Sequence, residues 1–282
     1  LALSLSVFVL QLVVGLITGS LALLSDAVHV LSDSTGLLVA LIASALAQTP
    51  SSDRRTFGLH RSEILAAGAN GLMLLGLCVG ILVSAVGRLN DPPVIDAPLV
   101  LAAAAVGLAV NVAGLLLLRK GAGENLNIKG AYMEVVGDAL GSVAVLISAT
   151  AIYFMGWNIL DPIASIVIAA LILPRAIALL REVGEVLMQS TPRGMDLDEI
   201  RNHILGVPGI VDVHDLHVWT LTSQLPVMSA HVVVDDHVTT MVQAHEILDN
   251  LDSCLSDHFD VKHSTFQFEP LGHAEAEAKT HQ

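Results

Sequence analysis

The chain has 282 residues, of which 54% are hydrophobic and only 14% are charged, and its mean hydropathy is +0.71. A soluble domain of this size carries more charge, so the composition argues against a soluble protein and favours several membrane-spanning helices. The net charge of −14 argues against a nucleic-acid-binding protein, because acidic surfaces repel phosphate groups.

Six apolar segments follow one another through the first 180 residues and predict six transmembrane helices. They comprise residues 1–18, 21–47, 62–89, 97–118, 128–155 and 162–180. The chain begins with Leu rather than Met, so we expect a native N-terminal tail to precede it. The first segment has no basic start and no small-residue cleavage site, and we interpret it as a membrane helix rather than a signal peptide.

Basic residues occupy alternate connections between the predicted helices. Those in the second-to-third connection, in the fourth-to-fifth connection and at the end of the sixth helix are Arg54, Arg55, Arg61, Arg119, Lys120, Lys129 and Arg181. The other side holds Arg88 alone, beside Asp91 and Asp96. The positive-inside rule therefore places the basic connections, both termini and the C-terminal part of the chain in the cytoplasm.

The character of the chain changes after Ser190. From there it has 15 acidic and 4 basic residues, a net charge of −11, and it holds 10 of the 12 histidines. Alternating segments at 210–221, 226–235 and 261–270 predict strands, and segments at 195–209 and 239–259 predict helices. The order α-β-β-α-β predicts a small α+β domain. We therefore expect a six-helix domain at 1–185, a cytoplasmic α+β domain at 190–270, and a disordered tail at 271–282.

The second predicted helix carries charged side chains where hydrocarbon makes them costly. Within LSDAVHVLSDSTGL, residues 24–37, His29 and Asp33 are four residues apart and share one helix face, and Asp26 lies near that face. A divalent cation is a natural partner, because it offsets carboxylate charge and binds an imidazole nitrogen. Asp26 is closer to the outer end, where it could cap a turn or line the exit.

The fifth predicted helix supplies a matching pair. Glu134 and Asp138, within AYMEVVGDALGS, are again four residues apart, among small residues that let helices approach closely. Two facing pairs offer one nitrogen and three carboxylates, enough for a four-coordinate metal site. The alternative is that each pair is only a satisfied polar contact between helices. This interpretation is the weaker one, because the two pairs have identical spacing in different helices.

These pairs and several longer phrases resemble the cation diffusion facilitator family over essentially the whole chain. The phrases are GSLALLSDAVHVLSD, FGLHRSEILAAGAN, GDALGSV, LDPIAS and VHDLHVW. The resemblance implies an α-helical membrane protein with a metallochaperone-like cytoplasmic α+β domain, and a metal efflux transporter of the zinc, cadmium and cobalt type. The transport-site positions that match are His29, Asp33, Glu134 and Asp138.

The resemblance also implies how such a protein works. It predicts a homodimer in the lipid bilayer of a bacterial inner or plasma membrane. The homodimer exports divalent transition-metal cations, zinc first, by proton antiport with alternating access. The metal is the substrate, protons are the counter-substrate, and no organic cofactor, nucleic-acid partner or enzyme activity is expected.

The chain departs from the family pattern at Glu134, where zinc-selective members have histidine. No change of register restores the imidazole, because no histidine lies between His60 and His203. A carboxylate is a harder ligand than an imidazole, so manganese, iron, cobalt and cadmium stay alternative cargoes beside zinc.

The resemblance further implies a regulatory metal site in the cytoplasmic domain. His214, His231 and His245 fall on matching positions, and Glu269 matches a carboxylate. Gln267 stands where some members have histidine, which weakens this site. Surface positions are the simpler interpretation of four other histidines, His217, His237, His258 and His263.

Two polar residues near helix ends have simple interpretations. His60, beside Arg61 at the start of the third helix, is either an ordinary loop histidine or a loop metal site on the entry route. Asp161 precedes Pro162 and is expected to cap the sixth helix.

Two other classes of function are open from the sequence, an intramembrane metalloenzyme and a membrane metal sensor. Neither an HExxH nor a GxSxG motif is present, which disfavours the enzyme. No recognisable signalling segment accompanies the cytoplasmic domain, which disfavours the sensor.

Overall fold

The computed structural model describes residues 2–123, 126–222, 225–261 and 263–273. Most of the tail that the sequence predicts as disordered lies outside these ranges. The chain divides into two compact units, one formed by residues 1–45 and 65–181 and the other by residues 46–64 and the chain from 182 onward. The connection at 46–64, which the sequence groups with the membrane domain, therefore packs with the second unit.

Six helices follow the predicted order. They are α1 (Ala2–Thr18), α2 (Leu21–Ala47), α3 (Ser62–Arg88), α4 (Ala97–Leu118), α5 (Leu126–Met155) and α6 (Leu160–Leu187). The last five are long and apolar enough to cross a membrane, and the apolar stretch of α1, Leu5–Thr18, is shorter. The predicted class of six-helix membrane protein is confirmed.

Local signals explain where these helices begin and end. Gly19 has a φ of 72°, a left-handed conformation that glycine adopts without strain, and it forms the tight turn between α1 and α2. Asp96 caps α4 by accepting a hydrogen bond from the Leu99 N–H at 3.3 Å. The predicted end of α6 at residue 180 is wrong: the helix continues to Leu187, because helical backbone bonding does not stop where the apolar run stops.

The core of the first unit takes in side chains of all six helices. Leu23, Val100, Val145 and Ile168 are among its most buried side chains. Alanine and glycine dominate the buried face of α4, where Gly107 lets the Gln11 amide approach so closely that a Cβ there would lie 2.6 Å from Nε2. Close helix packing of this kind brings polar groups of different helices together inside the bundle.

The second unit contains the predicted α+β domain. Its helices are α7 (Leu197–Leu205) and α8 (Met241–Phe259), and its strands are β1 (Ile210–Thr220), β2 (Pro226–Val234) and β3 (His263–Glu269). The sheet order is β1-β2-β3, with β1 antiparallel and β3 parallel to β2. The predicted α-β-β-α-β order is thus confirmed.

Caps and a shared core fix the two helices on this sheet. Asp196 caps α7, and a capping box of Thr240 and Gln243 begins α8. Ile200 of α7 and Leu251 of α8 are fully buried in the apolar cluster that also takes in the inward side chains of β1 and β2. The helices thereby hold the three strands in one register, which decides which polar side chains meet on the sheet.

Candidate metal centre

Three predicted ligands converge inside the first unit. His29, Asp33 and Asp138 each offer a ligand atom within 4.8 Å of the other two. The Nε2 atom of His29 lies 3.1 Å from Oδ1 of Asp138 on α5 and 3.7 Å from Oδ2 of Asp33 on its own helix. The i,i+4 spacing on α2 and the packing of α5 against it create this group.

These groups are largely removed from solvent. The exposed fraction is 8% for His29, 16% for Asp33 and 15% for Asp138. Among the described residues, Nδ1 of His29, Oδ2 of Asp33 and Oδ1 of Asp138 have no hydrogen-bond partner of acceptable geometry. Buried carboxylates without such partners are costly, and a cation between them would remove that cost. The donor set, one nitrogen and two carboxylates, suits zinc and related divalent ions.

The fourth predicted ligand, Glu134, forms an ion pair with Arg175, which is not among the predicted site residues. Nη2 of Arg175 donates a hydrogen bond to Oε1 of Glu134 at 2.6 Å, and Nη1 lies 3.7 Å from Oδ1 of Asp33. Glu134 is 35% exposed and, within the described part of the chain, lies outside the group of three. The signal was present, since Arg175 is a charged residue within an apolar helix.

A cavity of about 440 Å³ borders this group between α5 and α6. Its lining includes His29, Glu134 and Arg175, together with Gly130 and Gly137 of α5. A Cβ at either glycine would meet nothing within 4 Å, so the space beside them is open. The same cavity is therefore lined both by His29 and by the Glu134–Arg175 ion pair.

Asp26 is the centre of a separate buried network. It is 1% exposed, and its Oδ2 accepts hydrogen bonds from Nε2 of Gln11 at 2.7 Å and from Oγ of Ser142 at 3.1 Å. Asn111 in turn donates to Ser142 at 3.3 Å. Asp26 thus joins α1, α2 and α5 within the bundle. Gln11 and Ser142 are far from Asp26 along the chain, so residue spacing in the sequence does not predict these two hydrogen bonds.

Asp161 corrects a prediction, because it caps a different helix from the one expected. It lies in the first turn of α6, and its carboxylate accepts bonds from the Ser20 hydroxyl at 2.5 Å and from the backbone N–H of Leu21 at 2.7 Å and of Ala22 at 3.3 Å. The first N–H groups of α2 have no partner within their own helix, which is why a carboxylate from α6 is favourable there.

A second group of possible ligands lies on the sheet of the second unit. His214 of β1 is opposite His231 of β2, and Glu269 lies near the end of β3. Oε1 of Glu269 is 2.9 Å from Nδ1 of His231, and Oε2 is 3.3 Å from Nε2 of His214. Glu269 is only 2% exposed, and Gln267 donates a hydrogen bond to it at 2.8 Å. The amide of Gln267 thus lies against the carboxylate of Glu269, two residues later on the same strand.

A bulge in β1 adds a carboxylate beside this group. Asp215 has a φ of 47°, in the left-handed region that few residues other than glycine adopt, and the pairing register shifts between His214 and His217. Oδ1 of Asp215 is 2.9 Å from Nε2 of His217, and Oδ2 is 3.8 Å from Nε2 of His231. The bulge turns Asp215 towards two imidazoles.

The remaining predicted positions lie apart from both groups within the described residues. His245 is 71% exposed and is 3.8 Å from Asp249 on the same helix. His60 is half-buried in the connection between α2 and α3. Of the four histidines interpreted as surface positions, His237 is 93% exposed, and His263 packs edge-to-face on Phe57 with ring centroids 5.4 Å apart.

Comparison with known protein families decides the family. The profile of the cation efflux transmembrane domain matches residues 1–188, and that of the cation efflux protein cytoplasmic domain matches residues 192–271. The chain belongs to the cation efflux family. The resemblance to cation diffusion facilitators, read from the motifs, is confirmed, and the chain is an integral membrane protein of a family of metal transporters.

Several members of the cation efflux family are similar along most of their length. The metal cation efflux system protein CzcD of Cupriavidus metallidurans is 41% identical over 100% of this chain and 88% of its own. A cadmium, cobalt and zinc/H(+)-K(+) antiporter of Bacillus subtilis is 40% identical over 94% of this chain and 85% of its own. The zinc transporter ZitB of Escherichia coli is 36% identical, with 92% and 82% covered.

A solved structure of a C-terminal domain is similar to part of this chain. It is the metal-bound C-terminal domain of the CzcD transporter from Cupriavidus metallidurans, which is 43% identical to this chain. The match covers 27% of this chain and 99% of that one, with a TM-score of 0.25.

Proposed function

We propose that this chain exports divalent transition-metal cations, zinc first, from the cytoplasm in exchange for protons. The observation that supports this most strongly is the group of His29, Asp33 and Asp138 inside helices long enough to cross a membrane. Charged groups at such a depth generally belong to ion pathways. An enzyme or a sensor is less well supported, because the family consists of transporters.

The three side chains would bind the cation through one imidazole nitrogen and two carboxylate oxygens. Three protein ligands leave a coordination position open for water, which allows the ion to enter and leave. Glu134 would complete the set of four only after Arg175 had released it. The site thus suits a cargo that exchanges rather than a permanently bound structural ion.

Exchange for protons follows from the chemistry of these ligands. Imidazole and carboxylate groups bind a metal in their deprotonated forms, so arrival of the cation displaces protons and arrival of protons displaces the cation. Alternating access would present the group first to the cytoplasm and then to the outside as the helices rock. The relative named as an antiporter of cadmium, cobalt and zinc against H(+) and K(+) supports this exchange.

The same relatives support the choice of cargo. Their names specify zinc in one case and cadmium, cobalt and zinc in another. Imidazole nitrogen is a ligand that all three metals accept, whereas all-oxygen sites favour manganese or magnesium. Zinc is therefore proposed first, with cadmium and cobalt beside it and manganese and iron as weaker alternatives.

The second unit is proposed to sense the cytoplasmic metal and to pair two copies of the chain. His214, His231 and Glu269 form a compact donor group on three adjacent strands. His245, which lies apart from them within one chain, would take part only if a second copy brought it close. The match to the family's cytoplasmic domain supports this arrangement. Both termini are proposed to lie in the cytoplasm, as the basic connections indicate.

A flux assay in proteoliposomes tests this proposal. The full chain is reconstituted with an internal zinc indicator and an internal pH indicator, and Asp33→Ala and Asp138→Ala are compared with the exposed control His237→Ala. We expect zinc uptake with opposite proton movement in the wild type and the control, and none in the two site variants. Undiminished flux in both site variants would refute the site, and zinc uptake without proton movement would refute the antiport.

A further inference from the structure

Arg175 places a fixed positive charge at the edge of the proposed cation site. Its guanidinium group contacts two predicted ligands, Glu134 at 2.6 Å and Asp33 at 3.7 Å. Asp33 uses its other oxygen, Oδ2, to face His29, so its carboxylate lies between the guanidinium group and the imidazole. An arginine in a membrane helix is costly unless it has a partner. Here the partners are the side chains that would bind the cargo.

The sequence around Arg175 fixes it at this position. Pro174 precedes it within α6, and proline removes one backbone hydrogen bond and marks a point where helices bend. Ile172 and Ala176 on either side are buried in the core. The arginine side chain is 45% exposed, because it faces the cavity that leads to His29. A cation in this cavity therefore faces both the ion pair and the imidazole.

The sum of the charges explains why an arginine belongs there. Three carboxylates and a neutral imidazole exceed the charge of one divalent cation by one negative charge. The guanidinium group supplies the missing positive charge, so that the site with its cargo and Arg175 is neutral. Among apolar helices, a cluster with zero net charge is cheaper than one with an uncompensated charge. The pair of Glu134 and Arg175 thus carries no net charge.

We propose that Arg175 is the charge-balancing and positioning residue of the transport site. It holds the Glu134 carboxylate away from the cation and cancels its charge, so that the two side chains act as one neutral unit. The metal is then bound by the imidazole and the two aspartates. This inference deepens the proposed transport function and rests on it.

Selectivity follows from this arrangement. While Arg175 holds Glu134, the cargo meets one nitrogen and two carboxylates, a set that favours zinc. Without the arginine, Glu134 is free to become a third carboxylate ligand, and hard oxygen ligands favour manganese relatively more. The arginine therefore keeps the site selective for zinc although a third carboxylate, Glu134, lies beside it.

A double-mutant cycle on the full chain in proteoliposomes tests the pair. Zinc and manganese uptake are measured for Arg175→Gln, Glu134→Gln, the double variant and the charge-conserving Arg175→Lys. Arg181→Gln, an exposed arginine later on the same helix, is the matched control. Size-exclusion profiles record whether each variant folds, and KM and maximal rate are reported separately.

We expect Arg175→Gln to lower the preference for zinc over manganese by about tenfold, because Glu134 joins the ligands. Glu134→Gln leaves the arginine charge unbalanced and raises the zinc KM by about tenfold, and the double variant returns the KM to within a few-fold of the wild type. Arg175→Lys keeps both KM and preference close to the wild type. If the ion pair were purely structural, the substitutions would lower protein yield. The metal preference would then stay unchanged, and the double variant would not restore the zinc KM.

Two results would overturn the inference. One is a zinc preference unchanged in folded Arg175→Gln, and the other is a double variant whose KM is the product of the two single effects. If Arg175→Gln does not fold, an unchanged KM in Glu134→Gln overturns it. Asp33→Ala in the same assay separates this failure from that of the proposed function, since flux that survives in Asp33→Ala refutes the site itself.

Discussion

Replacing Asp161 with alanine is expected to loosen the start of α2, the helix that carries His29. The Asp161 carboxylate is 2% exposed and accepts three hydrogen bonds, from the Ser20 hydroxyl and from the N–H groups of Leu21 and Ala22. Hydrogen bonds to a charged group contribute about 1.5–3 kcal/mol each, and three bonds that share one carboxylate contribute less than their sum. We therefore expect Asp161→Ala to lower the free energy of unfolding by about 3 kcal/mol.

This change is measured as a shift in the thermal unfolding midpoint of the purified protein in detergent. The midpoint is determined by size-exclusion chromatography of heated samples. A loss of this size lowers the midpoint by about 5–10 °C. Asp96→Ala is the matched control, because Asp96 is an exposed cap that accepts a single bond from Leu99, and its loss costs about 1 kcal/mol. If Asp161→Ala unfolds at the same temperature as Asp96→Ala, the bridge from α6 does not stabilise α2 and the reasoning is refuted.

Two further substitutions test the packing of α5 and the cytoplasmic site. Gly141→Ala places a Cβ 2.9 Å from Oδ1 of Asp26. We therefore expect the free energy of unfolding to fall by about 1–3 kcal/mol and zinc flux to become slower. The control is Gly80→Ala, whose Cβ meets nothing within 4 Å, and it should leave stability and flux unchanged or improved. Glu269→Ala removes the buried carboxylate of the sheet and should lower the zinc bound per chain in equilibrium dialysis by about one ion. The exposed variant His237→Ala should bind as the wild type, and equal zinc in both variants would contradict the cytoplasmic site.

The sequence predicted the helices well because the physics that forms them is local. Long apolar runs end at turn residues such as Gly19, and these residues do form the turns. The end of α6 was missed because hydropathy falls at residue 181 while the helix continues to Leu187. Beyond that point Arg193 pairs with Glu182 and Glu185 across the last turn, a contact between charged residues that hydropathy does not register.

The sequence predicted which side chains form the candidate transport site, but it did not predict the ion pair between Glu134 and Arg175. Spacing of four residues places His29 and Asp33 on one face of α2, and the structure brings Asp138 to them. Residue spacing within one helix cannot show which carboxylate pairs with a basic side chain of another helix. Here Glu134 pairs with Arg175, which lies 41 residues later in the chain. A rule that treats every charged residue in an apolar helix as functional would have found that arginine.

The cytoplasmic group shows the same division. The family resemblance pointed to His214, His231, His245 and Glu269, and in the structure His214, His231 and Glu269 come together on the sheet while His245 is not part of that group within the described residues. The bulge at Asp215 was not predictable, because a left-handed residue other than glycine leaves no pattern in the sequence. A bulge depends on how two strands pair, which is a tertiary property.

Zinc-edge anomalous scattering from crystals of the full chain shows directly which side chains bind the cargo. We expect an anomalous peak about 2.0–2.2 Å from Nε2 of His29 and from one oxygen each of Asp33 and Asp138, with Glu134 still bound to Arg175. A zinc-saturated crystal with no peak between α2 and α5, or with a peak held by other side chains, would contradict it.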